Sequence, residues 1–506
     1  MLIPSHHRRY KDTLAVTALS SMASLTLMGA QQMHATAAVQ SDYLSSTSSP
    51  TNLKCVASTE QQQQIADTRG DTDQLAVQAA VANNILDPQN NPAVMLIDLK
   101  KFNNHALSLQ SSFKACANNV LHAFAIKANP LGGVLRHAAS LGLGAECASI
   151  VEVKHALSCG IPSNRIVFDS PTKTDQEILY CLTLPGIVMN LDSLQEIDRV
   201  AVLIKCHNQS SFLQPPRIGL RINPQLGVGA IASTSTATAT SKFGVALLDH
   251  HDEILDQFKR NTFLTGIHCH VGSQGCSIQM MVDGVKSLID LVQEINNVCG
   301  DEERIQTIDI GGGLPVNYNS PVVVPTFQSY ADELRKQVPY LWSFGGMVVT
   351  EFGRSLIQKC GVFASYVNAT KISGGRKIAT VYVGADLLLR TCYLPEKWKH
   401  RFSVLCGKSG QAKCLDGCKT TESVQDVAGP CCFSGDLICR NRLLPNIETG
   451  DVVIVHDTGG YSIGMFSRYN SRLCLPVYTY NSSDVGSSFV LIKKKEVWED
   501  VSAFWG

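Results

Sequence analysis

A lysine that closes an apolar run is the first residue in this sequence to call for a chemical explanation. Lys127 ends the stretch LHAFAIK (121–127) and is followed at once by Ala-Asn-Pro. A cationic amine in an apolar strand is costly unless it has a partner or a task. The task that suits it is nucleophilic, because desolvation lowers an amine's pKa and frees it to attack a carbonyl carbon. A solvated lysine at a strand end is the competing reading. Further on, HCHVGSQG sets His268 and His270 two residues apart, on one face of a strand. No carboxylate or cysteine ligand lies close to them in sequence, so no metal is expected. A flat imidazole beside Gly272 and Ser273 better suits an aromatic ring stacked next to a phosphate. Gly311, Gly312 and Gly313 let backbone N–H groups approach an anion, or simply form a tight turn. Glu351 is followed by Phe352, Gly353 and Arg354. A carboxylate there can pair with a protonated ring nitrogen, and the arginine can hold an anion in bidentate fashion. An ordinary Glu–Arg pair is the alternative, but one phosphorylated aromatic ligand would account for all four features.

These residues stand at the ends of regularly spaced apolar runs. The runs are 121–127, 144–149, 166–170, 187–193, 217–224, 264–273, 307–313 and 347–354, with segments of helical spacing between them. Eight β/α units of this size predict a closed (β/α)8 barrel of the TIM type, over residues 120–356. Catalytic groups in such barrels sit at the C-terminal ends of the strands, where the four features lie. Residues 357–506 change to short strands separated by Gly-, Pro- and Asn-rich turns, which predicts a C-terminal antiparallel β domain. Residues 81–119 are expected to contribute to that domain through AVMLIDL (93–99). The segment 225–241 reads as a mobile loop and 405–428 as a surface excursion.

Lys plus Arg equals Asp plus Glu at 43 each, so no bulk field attracts nucleic acid or an anionic membrane. A small-molecule partner is expected instead. The 18 cysteines are scattered, which suits small buried hydrophobes in a reducing compartment. Cys414 and Cys418, with Cys406, lack the paired knuckles of a zinc site. Residues 1–37 carry Arg8, Arg9 and Lys11, then an uncharged stretch and HATAA, the pattern of a cleavable targeting peptide. Residues 38–80 read as a disordered linker rich in Ser, Thr and Gln. No other stretch is long and apolar enough to cross a bilayer.

The motifs AFAIKANP, AECAS, RINP, SKFG, HCHVGSQ, IDIGGG, EFGR, GPCCFSGD and HDTGGY occur in this order. The chain thereby resembles, over residues 90–485, the diaminopimelate decarboxylases. It also resembles the wider ornithine/diaminopimelate/arginine decarboxylase family, which shares its barrel with alanine racemase. The resemblance implies pyridoxal 5′-phosphate as cofactor, carried by Lys127, with His270 stacked on its ring and Glu351 facing its ring nitrogen. It implies cofactor-binding roles for Glu146, Arg221, Ser273, Gly311, Gly312, Gly313, Gly353, Arg354 and Tyr461. Substrate contacts are implied for Arg354, Arg390, Tyr393, Phe433 and Tyr461. Cys432 matches a cysteine that family members contribute across a dimer interface, and it is the candidate proton donor. A homodimer with shared sites follows. Members in photosynthetic eukaryotes act in plastids, so a plastid is the expected destination; the leader fits a secretory route equally well.

Three departures bear on substrate choice. Phe352 replaces the proline of EPGR, and Phe433 replaces the acidic residue of CESGD. The RPxxY motif survives only as Arg390-Thr-Cys-Tyr393, one residue short. The expected reaction is decarboxylation of meso-diaminopimelate to L-lysine. Another basic amino acid (D-lysine, D-ornithine, ornithine or arginine) is the alternative substrate. A racemase of the same fold is disfavoured by Glu351, where racemases place a cation. A non-catalytic regulator is disfavoured by retention of Lys127, Glu351 and Cys432.

Overall fold

In the computed structural model the described residues are 72–116, 119–206, 214–413, 421–484 and 488–506. The targeting peptide expected over 1–37, most of the expected linker, and Cys414 and Cys418 lie outside them. Helix α1 (Thr72–Ala82) and strand β1 (Ala93–Asp98) come first, followed by helix α2 (Leu99–Ser112). Eight barrel strands come next: β2 (Asn119–Ala125), β3 (Gly144–Cys147), β4 (Ile166–Phe168), β5 (Val188–Leu191), β6 (Arg217–Asn223), β7 (Leu264–His268), β8 (Thr307–Asp309) and β9 (Met347–Thr350). Each pairs in parallel with the next, and β9 pairs with β2 to close the sheet. Strands that are apolar on both faces need cover on both faces, which a ring of helices around a closed barrel supplies. The long helix Ile278–Cys299 shows how the ring is built: Ser277 caps its start and the left-handed Gly300 ends it. Among the described residues no helix is long and apolar enough to cross a membrane.

The second sheet contains β1 and the C-terminal strands β10 (Gly361–Ser373), β11 (Arg376–Val381), β12 (Phe402–Leu405), β13 (Glu422–Ala428), β14 (Leu437–Pro445), β15 (Val452–Val455), β16 (Val477–Tyr480) and β17 (Val490–Lys493). Its path is β14-β13-β11-β10-β1-β16-β17, with β12 joined to β10 through β15. Most ladders are antiparallel; β1–β16 and β11–β13 are parallel, so the sheet is mixed. The barrel is thus inserted between β1 and β10, which are neighbours in the sheet.

Three expectations change. Residues 72–80 are not linker but part of α1, whose Ala76, Val77 and Ala80 are fully buried on the β domain beside Val94, Val362 and Ile454. A face made of alanine and valine carries little periodic contrast, which hid the helix. The segment 81–119 divides. Its strand joins the β domain, but α2 packs on the barrel, with Phe102 edge-on to Phe124 at 5.7 Å and His105 Nδ1 2.9 Å from Leu356 O. The 225–241 segment is tied down rather than loose: Ser273 N–H donates to Thr234 O (2.9 Å), Ala237 N–H to Val271 O (3.0 Å) and Ala230 N–H to Gly275 O (2.9 Å).

Phe352, the first departure from the family pattern, belongs to the core. It is 1% exposed, with ring centroids of Phe327, Tyr330 and Phe113 at 5.1, 6.1 and 6.4 Å. It therefore fills an aromatic cluster and does not read substrate. Phe352→Ala is expected to cost about 3–5 kcal/mol of stability, read as a lowered urea midpoint. A loss below about 1 kcal/mol would show that the cluster closes over the hole.

Candidate active site

At the C-terminal mouth of the barrel, β2 ends at Ala125 and a short 3-10 turn, Ile126–Ala128, swings Lys127 over the opening. Its Nζ donates to Glu146 Oε1 at 2.7 Å, and 38% of the side chain stays exposed, so the amine faces an open cleft. Gly353 makes this turn possible: a Cβ there would come within 2.8 and 2.9 Å of the Cβ atoms of Ala125 and Ala128. Burial alone would lower the Lys127 pKa. The carboxylates of Glu146, Asp169 and Glu351 outweigh it and hold the pKa above the ordinary lysine value. The expectation of an amine neutralised by desolvation is thus reversed: Lys127 stands as an ammonium among carboxylates brought in from other strands.

Those carboxylates differ in state. Burial and the neighbouring Asp169 raise Glu146 well above the usual range. For Asp169, burial pushes upward, but Lys127 and Arg221 prevail and hold it low. Glu351 is pushed up to about 7 by burial and by Asp169. Arg221 Nη1 lies 3.6 Å from Asp169 Oδ2 and 3.9 Å from Asp192 Oδ1, and its guanidinium covers the Phe243 ring at 4.6 Å. Glu146 and Arg221 therefore meet through Asp169, at the end of β4.

His270 Nδ1 accepts the Gly312 N–H at 3.0 Å, which fixes both the ring and its tautomer. Burial and Lys127 lower its pKa well below the ordinary value, so the ring is neutral. Gly311 and Gly313 have positive φ, and a Cβ on Gly312 would sit 2.1 Å from Glu351 O. The three glycines thus form a tight turn against the backbone of Glu351, with the Gly311 N–H donated to Asp309 Oδ1 at 2.9 Å. Ser273, whose N–H is taken by Thr234 O, has its hydroxyl left to offer. Both Glu351 oxygens and both His268 nitrogens are buried without a hydrogen-bond partner, as is Glu146 Oε2. Asp169, His268 and Glu351 present ligand atoms within 4.8 Å of one another. With Arg221 and Lys127 already supplying positive charge, this trio is a poor cation site.

A second pocket adjoins the first. Arg354 and Arg390 share two aromatic rings: their Cζ atoms lie 4.3 and 4.8 Å from the Tyr461 centroid, and 4.9 and 5.1 Å from that of Trp398. Arg354 Nη1 donates to Tyr318 Oη (3.1 Å) and Gln358 Oε1 (3.2 Å). Its Nε and Nη2, and Nη1 of Arg390, are buried without a partner. Burial and Arg354 lower the Arg390 pKa. Two guanidiniums held together without a carboxylate form a site for an anion. Tyr461 has φ +55 and donates its N–H to Ala128 O at 2.8 Å, joining this pocket to the Lys127 turn.

Cys432, Phe433 and Tyr393 stand apart. Cys432 is exposed, with its N–H donated to Asn470 Oδ1 (2.7 Å) and its carbonyl accepting from Tyr469 Oη (3.1 Å). Phe433 stacks on Tyr393 at 5.2 Å and 16°. On the helix Leu389–Tyr393 the missing residue turns the tyrosine by about 100° relative to Arg390. Arg390 therefore enters the anion pocket and Tyr393 does not. Asp436, next to this loop, is spoken for: it accepts from Ala385 N–H and Cys431 N–H and lies 3.6 Å from Cys392 Sγ.

The same residues can be set against known proteins. Residues 99–358 match the family of pyridoxal-dependent decarboxylases, over its pyridoxal-binding domain. The chain belongs to this family. The diaminopimelate decarboxylase of Campylobacter jejuni is 29% identical over 396 residues, covering 78% of this chain and 91% of its own. That of Zymomonas mobilis is 28% identical over 386 residues, covering 75% and 84%. The crystal structure of diaminopimelate decarboxylase from Helicobacter pylori complexed with L-lysine has a TM-score of 0.71 at 26% identity, covering 84% of this chain and 99% of that one.

Within this decarboxylase frame, sequence reasoning missed Asp169, Asp192, Phe243, Trp398 and Tyr318. Asp169 had a usable signal, since it lies at the end of the third apolar run, where barrel chemistry sits. Trp398 and Tyr318 come from irregular segments and carry none.

Proposed function

We propose that this protein is a pyridoxal-phosphate-dependent decarboxylase that converts meso-diaminopimelate to L-lysine and carbon dioxide. The observation that carries the substrate is the Arg354–Arg390 pair beside the Lys127 cleft. An amino acid with a second, distal carboxylate supplies the anion that these unpaired guanidiniums lack.

The cofactor fits residues already described. Lys127 is the amine placed to carry it, the neutral His270 presents a flat ring, and the unpartnered Glu351 carboxylate can hold a proton on the ring nitrogen. The Gly313 N–H and the Ser273 hydroxyl suit the phosphate, since the Gly311 N–H is taken by Asp309 Oδ1 and the Gly312 N–H by His270. Pyridoxal phosphate, when bound, supplies an electron sink for the pair released as carbon dioxide leaves. Glu146 and Asp169 keep the Lys127 ammonium in place, and Arg221 balances them. Cys432 Sγ is the proton donor to the substrate carbon. The resemblance to the family assigns delivery of Cys432 to a second copy of the chain, with a homodimer as the working unit, and the exposure of Cys432 on the β domain leaves it open to such a copy.

Carbon dioxide release from a panel of D- and L-diamino acids tests the reading, with meso-diaminopimelate expected to give the highest kcat/KM. A higher value for D-lysine or L-ornithine would reassign the substrate. Phe433 decides how sharply the enzyme prefers diaminopimelate. An ammonium buried without a charged partner costs about 1.5–3 kcal/mol, and Asp436 is already engaged and cannot stand in. Phe433→Glu is therefore expected to raise kcat/KM for diaminopimelate about tenfold. An unchanged value with the fold intact would show that the distal ammonium is read elsewhere.

A further inference from the structure

The segment His456–Ser462 does two jobs. Its far end carries Tyr461 into the arginine pocket. Its near end, at the close of β15, is gripped by a helix from the other end of the chain. Asp73, 3% exposed in the first turn of α1, places Oδ2 3.1 Å from His456 Nδ1. Lys101 and Tyr480 bind the other oxygen of the same carboxylate. His456 Nε2 lies 2.8 Å from Ser403 Oγ, which also accepts from Gln74 Nε2 of α1 at 3.3 Å. The His456 carbonyl accepts from His400 Nδ1 at 2.8 Å, and the His400 ring meets Tyr318 edge-on at 5.2 Å. Tyr318 in turn accepts from Arg354. On the next residue, Asp457 holds a left-handed φ of +58, an uncommon conformation for a residue other than glycine. Arg401, bonded to both its oxygens, and Lys359 at 3.1 Å keep it there.

We propose that Asp73 is a positioning residue for the active site, and that α1 is part of the catalytic unit. Through His456 it sets the turn that presents Tyr461, and through His400 and Tyr318 it sets Arg354. Any processing of the N-terminal region must then leave the chain intact from Thr72 onward. The kinetic half of this proposal rests on the reading of the arginine pocket as the distal-carboxylate site; the structural half does not.

The test compares Asp73→Asn with Val77→Ala in the full chain. Val77 is fully buried on the same helix, so its truncation loosens α1 without touching the carboxylate. Hydrogen exchange of the peptide spanning 456–462 is expected to quicken about tenfold in Asp73→Asn and to stay at the wild-type rate in Val77→Ala. KM for diaminopimelate is expected to rise about five- to tenfold in Asp73→Asn with kcat within about twofold, and Asp73→Glu to recover most of the loss. Ser403→Ala, which removes a second support of His456, gives the same pattern more weakly, and serves if Asp73→Asn does not fold. Equal exchange in Asp73→Asn and Val77→Ala, or full protection in both Asp73→Asn and Ser403→Ala, would overturn the proposal. Absence of diaminopimelate turnover in the wild type would sink the functional reading and leave the exchange result standing.

Discussion

Lys127→Ala is expected to lower kcat by about three to six orders of magnitude while leaving the fold intact. Lys173 and Lys359 are buried, unlike Lys127, and their amines are committed. Lys173 Nζ bonds the Ser170 and Asn190 carbonyls and Glu196, and Lys359 Nζ bonds Asp457 and the Ser320 carbonyl. Lys127 hydrogen-bonds a single carboxylate, Glu146, and keeps an open side, which is what an amine needs if it is to leave its carboxylate and form a bond. Borohydride treatment of the pyridoxal-phosphate-loaded protein is expected to fix the cofactor to the peptide containing Lys127. Label on another lysine would move the anchor. The same variant measures whether sites are shared. Random exchange between Lys127→Ala and Cys432→Ala subunits makes half of the dimers mixed, each with one intact site, so about a quarter of wild-type activity should return. No recovery after demonstrated exchange would mean that each chain works alone.

Glu351→Gln is expected to do two opposite things. Turnover should fall at least about a hundredfold, because a neutral amide cannot hold a proton on the cofactor's ring nitrogen. The cofactor-free protein should become more stable at alkaline pH. Glu351 is pushed up to about 7 by burial and by Asp169, from an ordinary value of 4.5. Between these values the native state keeps a proton that the unfolded chain has released. The contribution of this residue to stability is therefore complete below about pH 4.5 and is lost as the pH rises through about 7. Glutamine cannot ionise and carries no such loss. The variant's Tm should match wild type at pH 5 and exceed it by about 2–4 °C at pH 8. A lower Tm at pH 8, or turnover within a few-fold of wild type, would contradict this account.

The barrel was legible because parallel strands buried on both faces leave unbroken apolar runs, and because Lys127, His270, Gly311–Gly313 and Glu351 end four of them. What escaped had no local signature. Helix α1 hides an alanine-valine face in a polar segment. The charge on Lys127 is a sum over Glu146, Asp169 and Glu351, which approach it from separate strands, so no window of sequence contains it. The 225–241 segment docks through backbone N–H groups, which composition does not reveal. Phe352 departed from the family pattern at a position next to the chemistry, yet its ring points into the aromatic core. Nearness in sequence to Glu351 said nothing about which way the side chain turns.

The place of β1 in the sheet has a consequence for how the protein is made. This strand lies between β10 and β16, and Ser482 N–H reaches Asp98 across 384 residues of chain. A ribosome completes β1 long before its partners exist. The barrel, built from neighbouring β/α units, can close in the interval, while Ala93–Asp98 waits with two open edges and an apolar surface. Such an edge is a template for pairing with other chains. The ladder that joins the two ends of the chain is then the last to form. A nascent chain released between residues 373 and 477 would hold a finished barrel and a β1 paired to β10 but still open on the edge that β16 takes.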